Sequence, residues 1–340
     1  MIELDGAEGG GQVVRSALSL SALAGEPVRI ENVRGARDHP GLKHQHLAAV
    51  ELAAAISDAD VEGAELDAET LAFDPGRPSG GRYEVDVGTS GSVTLVFDAV
   101  LPLAAAIDEP LDIAVRGGTD VEWSPPMDYF RSVKLPVLRC HGVDAAVDVE
   151  RRGFYPAGGG VATLSVNPST PAAIELTERG ERSGVRLNSV ASEELADADV
   201  AERQARGAAA ALPDDVDVIE RSAEYAETDS IGTAVTLRAE YENTLAGANA
   251  LGERGKPAEE VGEEAVREFL DFDAADAAAD RYLADQLLVW AALSGGQLTI
   301  PEVTNHVVSS VDLLGKFGVD VEIETGEGMP RVAVRSTLDR

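Results

Sequence analysis

Cysteine is almost missing: Cys140 stands alone in 340 residues. No internal disulfide can form, which excludes a stapled secreted scaffold and fits a reducing compartment. There is no run of eighteen apolar residues, and no charged segment leads into an apolar one at Met1. The expectation is a soluble, cytoplasmic protein. Lysine is scarce as well. Lys43, Lys134, Lys256 and Lys316 are the only ones among 28 basic residues, and the rest are arginine.

Acid is plentiful. Sixty-one Asp and Glu give a formal charge of -33 beside 44% hydrophobic residues. The carboxylates are spread along the whole length, not gathered in a tail, and this pattern reads as halophilic, an adaptation to molar salt. At 1 M salt the Debye length is roughly 3 Å, so a dispersed acidic surface hardly repels a distant polyanion. Counterion release is weak there too, so a nucleic-acid contact has to rest on short bidentate Arg–phosphate bonds.

Three segments share one plan. Val13–Ala24, Thr94–Ala106 and Leu283–Leu293 have helical periodicity and lead into the strand-like runs at Val28–Ile30, Leu111–Ile113 and Gln297–Ile300. A polar loop and a second helix follow each: His46–Ile56, Met127–Cys140 and His306–Phe317. Such units cannot bury their sheet faces singly, so three are expected to pack together. The fold class is α/β in the broad sense (α+β). Three repeated helix–strand units form a large domain, with repeats one and two in 1–180 and repeat three in 274–340. A smaller α/β domain, 181–273, is inserted before the last unit, with strands near Gly184–Val190, Val216–Ile219 and Thr233–Tyr241 and helices at Glu193–Leu212 and Pro257–Leu270.

Four motifs carry chemistry. Glu8-Gly9-Gly10-Gly11-Gln12 precedes a helix; its glycines let backbone N–H groups approach a phosphate, and Arg15 lies a turn further on. A plain tight turn explains the same residues. Arg34 to His46 is the most cationic window and holds three of the five histidines, which points to an anion site. Zinc at His39, His44 and His46 lacks a matching ligand spacing. Arg152–Gly160 is a second glycine-rich turn. His306, in Thr304-Asn305-His306, stands where a strand-like run meets a helix. An imidazole there is a candidate nucleophile toward phosphorus, and a capping or surface histidine is the plain alternative.

Together these motifs resemble the RNA 3'-terminal phosphate cyclase family. The likeness rests on Glu8–Gln12 with Arg15, on Arg34, Arg37, Pro40-Gly41-Leu42 and Gln45-His46, and on Gly117-Gly118-Thr119-Asp120. Arg152–Gly160, Tyr282–Gln286 and the His306 corner extend it over nearly the whole chain. The resemblance implies three units like the C-terminal domain of a translation initiation factor, with a small α/β domain inserted before the last.

It also implies an ATP-dependent ligase that forms AMP and pyrophosphate. His306 would take AMP from ATP and pass it to an RNA 3'-phosphate, which closes to a 2',3'-cyclic phosphodiester. Arg15, Arg34, Arg37, Gln45 and His46 would hold RNA phosphate, and Glu8 would hold Mg²⁺ or Mn²⁺. Tyr282, Leu283, Ala284, Asp285 and Gln286 would line the ATP pocket with Asp98. Asp98 stands where the family commonly has Gln, and a carboxylate there needs a cation to offset it. Two alternatives remain at this point: a non-catalytic relative in ribosomal RNA processing, and a carboxyvinyl transferase on a related repeated fold.

Overall fold

The computed structural model describes residues 1–326 and 328–339. It is a mixed α/β structure with four small four-stranded sheets. The first sheet pairs Ile2–Asp5 parallel to Val28–Glu31, which runs antiparallel to Leu71–Asp74, itself antiparallel to Asp60–Glu62. The second repeats that order with Gly81–Asp86, Leu111–Gly117, Gly160–Val166 and Ala145–Arg151. The third repeats it with Ile174–Leu176, Gly296–Thr299, Arg331–Val334 and Val321–Glu324.

Alternation explains why these sheets need helices on one side. In Leu111–Gly117, Leu111, Ile113 and Val115 point inward, and in Gly160–Val166, Ala162, Leu164 and Val166 do so. The two helices of each unit cover that face. Gly10–Ala24 buries Val14, Ala17, Leu18 and Leu20; His44–Ser57 buries Ala49, Val50, Leu52 and Ile56. Residues from all three units fall in one continuous core that runs from Leu4 to Leu338. Truncating a buried leucine such as Leu18 to alanine is expected to cost about 2–5 kcal/mol.

The fourth sheet lies in the segment between Ile174–Leu176 and Gly296–Thr299. Arg182–Ser192 is its hub, parallel to Val218–Ala226 and antiparallel to Thr233–Tyr241, which pairs with Leu245–Leu251. Helices Val200–Ala211 and Ala258–Ala274 pack on it around a separate core that includes Val185, Leu237, Val266 and Phe269. Those helices approach closely because Gly207 and Gly262 carry no side chain. A Cβ on Gly207 would lie 2.6 Å from Glu259 Cα, and one on Gly262 would lie 2.6 Å from Ala208 N.

The pairing also changes details read from the sequence. Ile174–Leu176, within the stretch assigned to repeats one and two, joins the third sheet. The helix expected over Glu193–Leu212 breaks at Asp199, which has φ 51°, into a 3₁₀ turn and Val200–Ala211. Leu245–Leu251 has little β propensity in its Ala-Gly-Ala-Asn-Ala run, yet it is a strand because Ala246, Ala248 and Ala250 are buried against neighbours.

Candidate functional site

Helix Gly10–Ala24 starts three residues earlier than its apolar periodicity indicates. Gly9 and Gly10 have φ of 77° and 62°, a conformation glycine adopts without a Cβ clash. The N–H groups of the first helical turn are therefore presented at a bare glycine surface. Four side-chain groups converge on it. A Cβ on Gly9 would lie 2.8 Å from Ser309 Oγ, and one on Gly10 would lie 3.2 Å from Arg37 Nη2. A Cβ on Gly11 would overlap His46 Nε2 and come within 3.1 Å of Arg15 Nη1.

The ring of His46 is fixed by its other nitrogen. Nδ1 accepts the Lys43 backbone N–H at 3.0 Å, so the hydrogen of the neutral ring sits on Nε2, toward the glycines. Burial, with Arg15, Arg34 and Lys43 nearby, lowers its pKa to about 3. His46 is therefore a neutral donor at physiological pH.

His306 is the second residue of helix Asn305–Lys316, whose N-cap Thr304 Oγ1 accepts from Val307 N at 3.2 Å. The imidazole Nδ1 hydrogen-bonds Gln12 Oε1. The Gln12 amide nitrogen donates to Asp285 Oδ2 at 2.5 Å and to Ser310 Oγ at 2.7 Å. With the amide nitrogen facing Asp285, the amide oxygen must accept from His306, so Nδ1 carries the hydrogen and Nε2 keeps its lone pair. Burial, Arg15 and Arg37 lower the His306 pKa, which keeps that lone pair unprotonated near neutrality.

Two cavities lie near this hydrogen-bonded group, one lined by His306 and the other by Gln12. The larger, about 850 Å³, is walled by Glu8, Gly9, Gly10, Arg37, His306 and Ser309, among others. His306 and Arg37, 269 positions apart, thus share one cleft with the glycine turn. The smaller, about 50 Å³, is bounded by Gln12, Arg15, Asp98, Lys134, Asp285, Gln286 and Trp290, among others. Asp98 has the cation it needs: Lys134 Nζ is 2.5 Å away, and both side chains are nearly buried. Burial pushes Asp285 up to about 7, against the pull of Lys134 and Arg15. Gln286 Oε1 is buried with no hydrogen-bond partner among the described residues. It is an acceptor waiting for a donor.

The remaining sequence candidates divide. Arg34 has φ 56° and turns one guanidinium nitrogen onto the carbonyls of His39 and Gly41, at 3.0 and 2.9 Å, so it braces its own loop. Gln45 Oε1 accepts from Ser92 N at 2.9 Å and ties the first unit to the helix start of the second. Glu8 is exposed on the wall of the large cleft. Leu283 and Ala284 are buried in the core beside Asp285 and Gln286. Tyr282 packs edge-on to Tyr129 with centroids 5.0 Å apart, has Arg281 4.8 Å from its ring, and lines neither cavity described here.

Three positions that build this region were not singled out in the sequence for the contacts they make. Gln12 was read only as part of the glycine motif. Lys134, one of four lysines in an arginine-rich chain, was the available signal for the Asp98 partner. Asp280 gave no signal at all. Its buried carboxylate accepts Tyr129 OH at 2.7 Å and the backbone N–H of Gly247, Tyr282 and Leu283 at 2.8 to 2.9 Å, which sets the segment that presents Asp285.

The His306 imidazole, the Arg37 side chain and the bare glycine start of helix Gly10–Ala24 meet at one cleft, whose lining also carries Asp5, Glu8, Asp312 and Lys316. The RNA 3'-terminal phosphate cyclase model matches residues 6–324, and the chain belongs to that family. It is 51% identical to the RNA 3'-terminal phosphate cyclase of Halobacterium salinarum over 94% of this chain and 96% of that protein. Identity to the Pyrococcus furiosus protein of the same name is 39% over 96% of each chain. To that of Methanopyrus kandleri it is 40% over 97% of each. Among solved structures, an Acinetobacter baumannii EPSP synthase is 12% identical and aligns over 99% of this chain and 65% of its own, at a TM-score of 0.32. That score carries no argument for the transferase alternative. Among the described residues, no helix is long and apolar enough to cross a membrane.

Proposed function

We propose that this chain converts an RNA 3'-terminal phosphate to a 2',3'-cyclic phosphodiester with ATP, through a covalent histidine–AMP intermediate. The supporting observation is the His306–Gln12 hydrogen bond on the wall of the cleft that also holds Arg37. In the first step, His306 Nε2 attacks the α-phosphorus of ATP, a P–N bond forms and the P–O bond to pyrophosphate breaks. Gln12 keeps the hydrogen on Nδ1 and accepts it throughout, so positive charge developing on the ring meets an amide oxygen. In the second step, an oxygen of the RNA 3'-phosphate attacks the same phosphorus and the P–N bond breaks. In the third, the 2'-OH attacks the 3'-phosphorus, loses its proton to water and expels AMP.

Each residue set has a task in this reading. The first-turn N–H groups at Gly10 and Gly11, with Arg15, Arg37 and the His46 Nε2–H, hold phosphate oxygens. Asp285 and the unpartnered Gln286 carbonyl accept from the nucleotide. Glu8 fits Mg²⁺ or Mn²⁺, since such ions often take one or two carboxylates and complete their shell with water and substrate phosphate. Asp5 and Asp312 lie in the same lining. A bound ion would neutralise charge on the departing pyrophosphate. The working place is a cytoplasm of high salt, where short arginine contacts outlast screening.

Incubation with α-labelled ATP tests the reading. The wild type is expected to take up acid-labile, base-stable label and to release pyrophosphate in equal amount. His306→Ala should fold and stay unlabelled, because an exposed corner histidine contributes little packing. An unlabelled wild type, or a labelled His306→Ala, overturns it.

A further inference from the structure

Two aromatic side chains stand out in solvent, on two loops joined to each other. Trp123 is 95% exposed and Tyr155 71%, while every other Trp, Tyr and Phe among the described residues is buried or partly covered. Aromatics are only 4% of the chain and Trp occurs twice, the other being the buried Trp290. Thr119 N and Asp120 N both donate to Gly153 O, at 2.8 and 3.2 Å, and Asp120 bridges Phe154. The loop after Gly117 and the loop after Arg151 therefore move as one. Ile231, 63% exposed, extends the patch from the inserted sheet, where Ser230 Oγ accepts from Ala157 N at 2.9 Å.

The Trp loop is held with effort. Trp123 has φ 59°, a strained conformation for a bulky residue, and such strain persists only where surroundings enforce it. The enforcement lies on either side of Trp123 along the chain. Buried Arg152 binds Asp128 at 2.7 Å and Asp120 at 3.3 Å, and Met127 N donates to Thr119 O at 2.9 Å. A buried ion triad is a poor way to gain stability, so fixing the loop is the more economical account of it.

The patch is also tied by hydrogen bonds to the corner beside the glycine turn. Gln45 accepts from Ser92 N, Gly118 N donates to Gly91 O at 2.8 Å, and Gly118 O accepts from Val93 N. A path of bonded loops thus runs from the Gln45-His46 corner to Trp123.

We infer that Trp123 and Tyr155 form a stacking platform for the bases of the RNA strand that leads into the cleft. This rests on the cyclase reading and adds where the rest of the strand lies. Rigid exposed rings read any base through its π-face, and stacking keeps its strength where molar salt removes counterion release. The acidic surface makes that the available mode of grip. A strand whose terminal phosphate is held at Arg37 and His46 has its preceding nucleotides free to cross the second unit's loops.

The test uses the full chain at molar KCl, with a fluorescent 3'-phosphorylated oligoribonucleotide as probe. Trp123→Ala and Tyr155→Ala are each expected to weaken oligonucleotide binding roughly tenfold. Trp123→Phe should recover most of the loss. Labelling of His306 by ATP should equal wild type in all of them. Unchanged oligonucleotide affinity in the double alanine variant, with labelling intact, overturns the platform and leaves the cyclase reading standing. Loss of self-association in Trp123→Ala at unchanged RNA affinity would also overturn it, and would assign the patch to a second copy of the chain. A wild type that binds RNA but takes no label removes the cyclase reading alone.

Discussion

The chain has two glycine-rich turns that look equivalent as sequence, Glu8–Gln12 and Gly153–Gly160, and they do opposite things. Around the first, the space a Cβ would fill faces Arg37, His46, Arg15 and Ser309. Around the second it is filled by the protein itself. A Cβ on Gly153 would lie 2.6 Å from Gly117 O, one on Gly158 would lie 2.8 Å from Thr89 O, and one on Gly159 would collide with the Asp229 carboxylate. Arg151 pairs with that same Asp229 at 2.6 Å, so the second turn docks the inserted sheet onto the body. Glycine marks a close approach in both places. What approaches decides whether the turn is a site or a joint.

The largest effect should come from the joint. Arg152 is buried with Asp120 and Asp128, and burial raises the Asp120 pKa even with the guanidinium beside it. Arg152→Leu leaves buried Asp120 without its cation and Asp128 with Arg131 alone, which is expected to cost about 3–5 kcal/mol of stability. Chemical denaturation measures this. At a temperature where the variant stays folded, ATP should still label His306. A variant as stable as wild type would mean the triad is dispensable to the fold.

Gly11→Ala strikes the site instead. Its Cβ would overlap His46 Nε2, so either the ring or the helix start must move. Turnover should fall by about a hundredfold, in line with the loss from small misplacements of positioned groups, while the melting temperature changes little. If stability falls and turnover survives, the two turns are alike after all.

Much of this contrast was readable in advance, and the rest was hidden for one physical reason. The His306 corner, the glycine turn and Arg37 announced themselves by local pattern: a histidine at a helix start, consecutive glycines, and cations clustered in an acidic chain. Partners were invisible, because Gln12 meets Asp285 across 273 positions and Ser310 across 298. Gln45, a phosphate ligand by the family resemblance, also accepts from Ser92 N across 47 positions, a tie that no local pattern announces. Leu283 and Ala284 shared a motif with Asp285 yet turn into the core, since a helix shows its faces to different surroundings. The first strand of the third sheet was lost for the same reason. Three residues at Ile174–Leu176 mean nothing until Gly296–Thr299 pairs with them.

A smaller effect separates the charged walls of the site from those of the joint. Asp285 is raised from 3.8 to about 7 by burial. Its folded form binds the proton more tightly than the unfolded chain does. The stability it contributes is therefore complete below about pH 4 and is lost as pH rises toward 7 and beyond. Asp285→Asn keeps an acceptor for Gln12 and cannot ionise. Compared with wild type, it should gain about 2 kcal/mol in relative stability between pH 5 and pH 7. Parallel pH–melting curves for the two proteins would show that the carboxyl ionises freely and that the small cavity is wetter than its lining implies.

Arg37→Lys should have the least effect and is the most specific probe of the glycine surface. Arg37 is exposed, and its Nη2 lies 3.2 Å from where a Gly10 Cβ would be, so it leans on the turn without carrying the fold. Lysine keeps the charge and loses the planar fork that grips a phosphate through two parallel bonds. Affinity for a 3'-phosphorylated RNA should drop by roughly five- to tenfold, about 1 kcal/mol, on the scale of one charge-assisted bond. Affinity for the same RNA ending in a 3'-hydroxyl should not change, because that strand has no terminal phosphate for the fork to hold. Equal losses on both strands would mean Arg37 acts as a diffuse charge. The first turn would then owe its phosphate site to the helix N-terminus and His46.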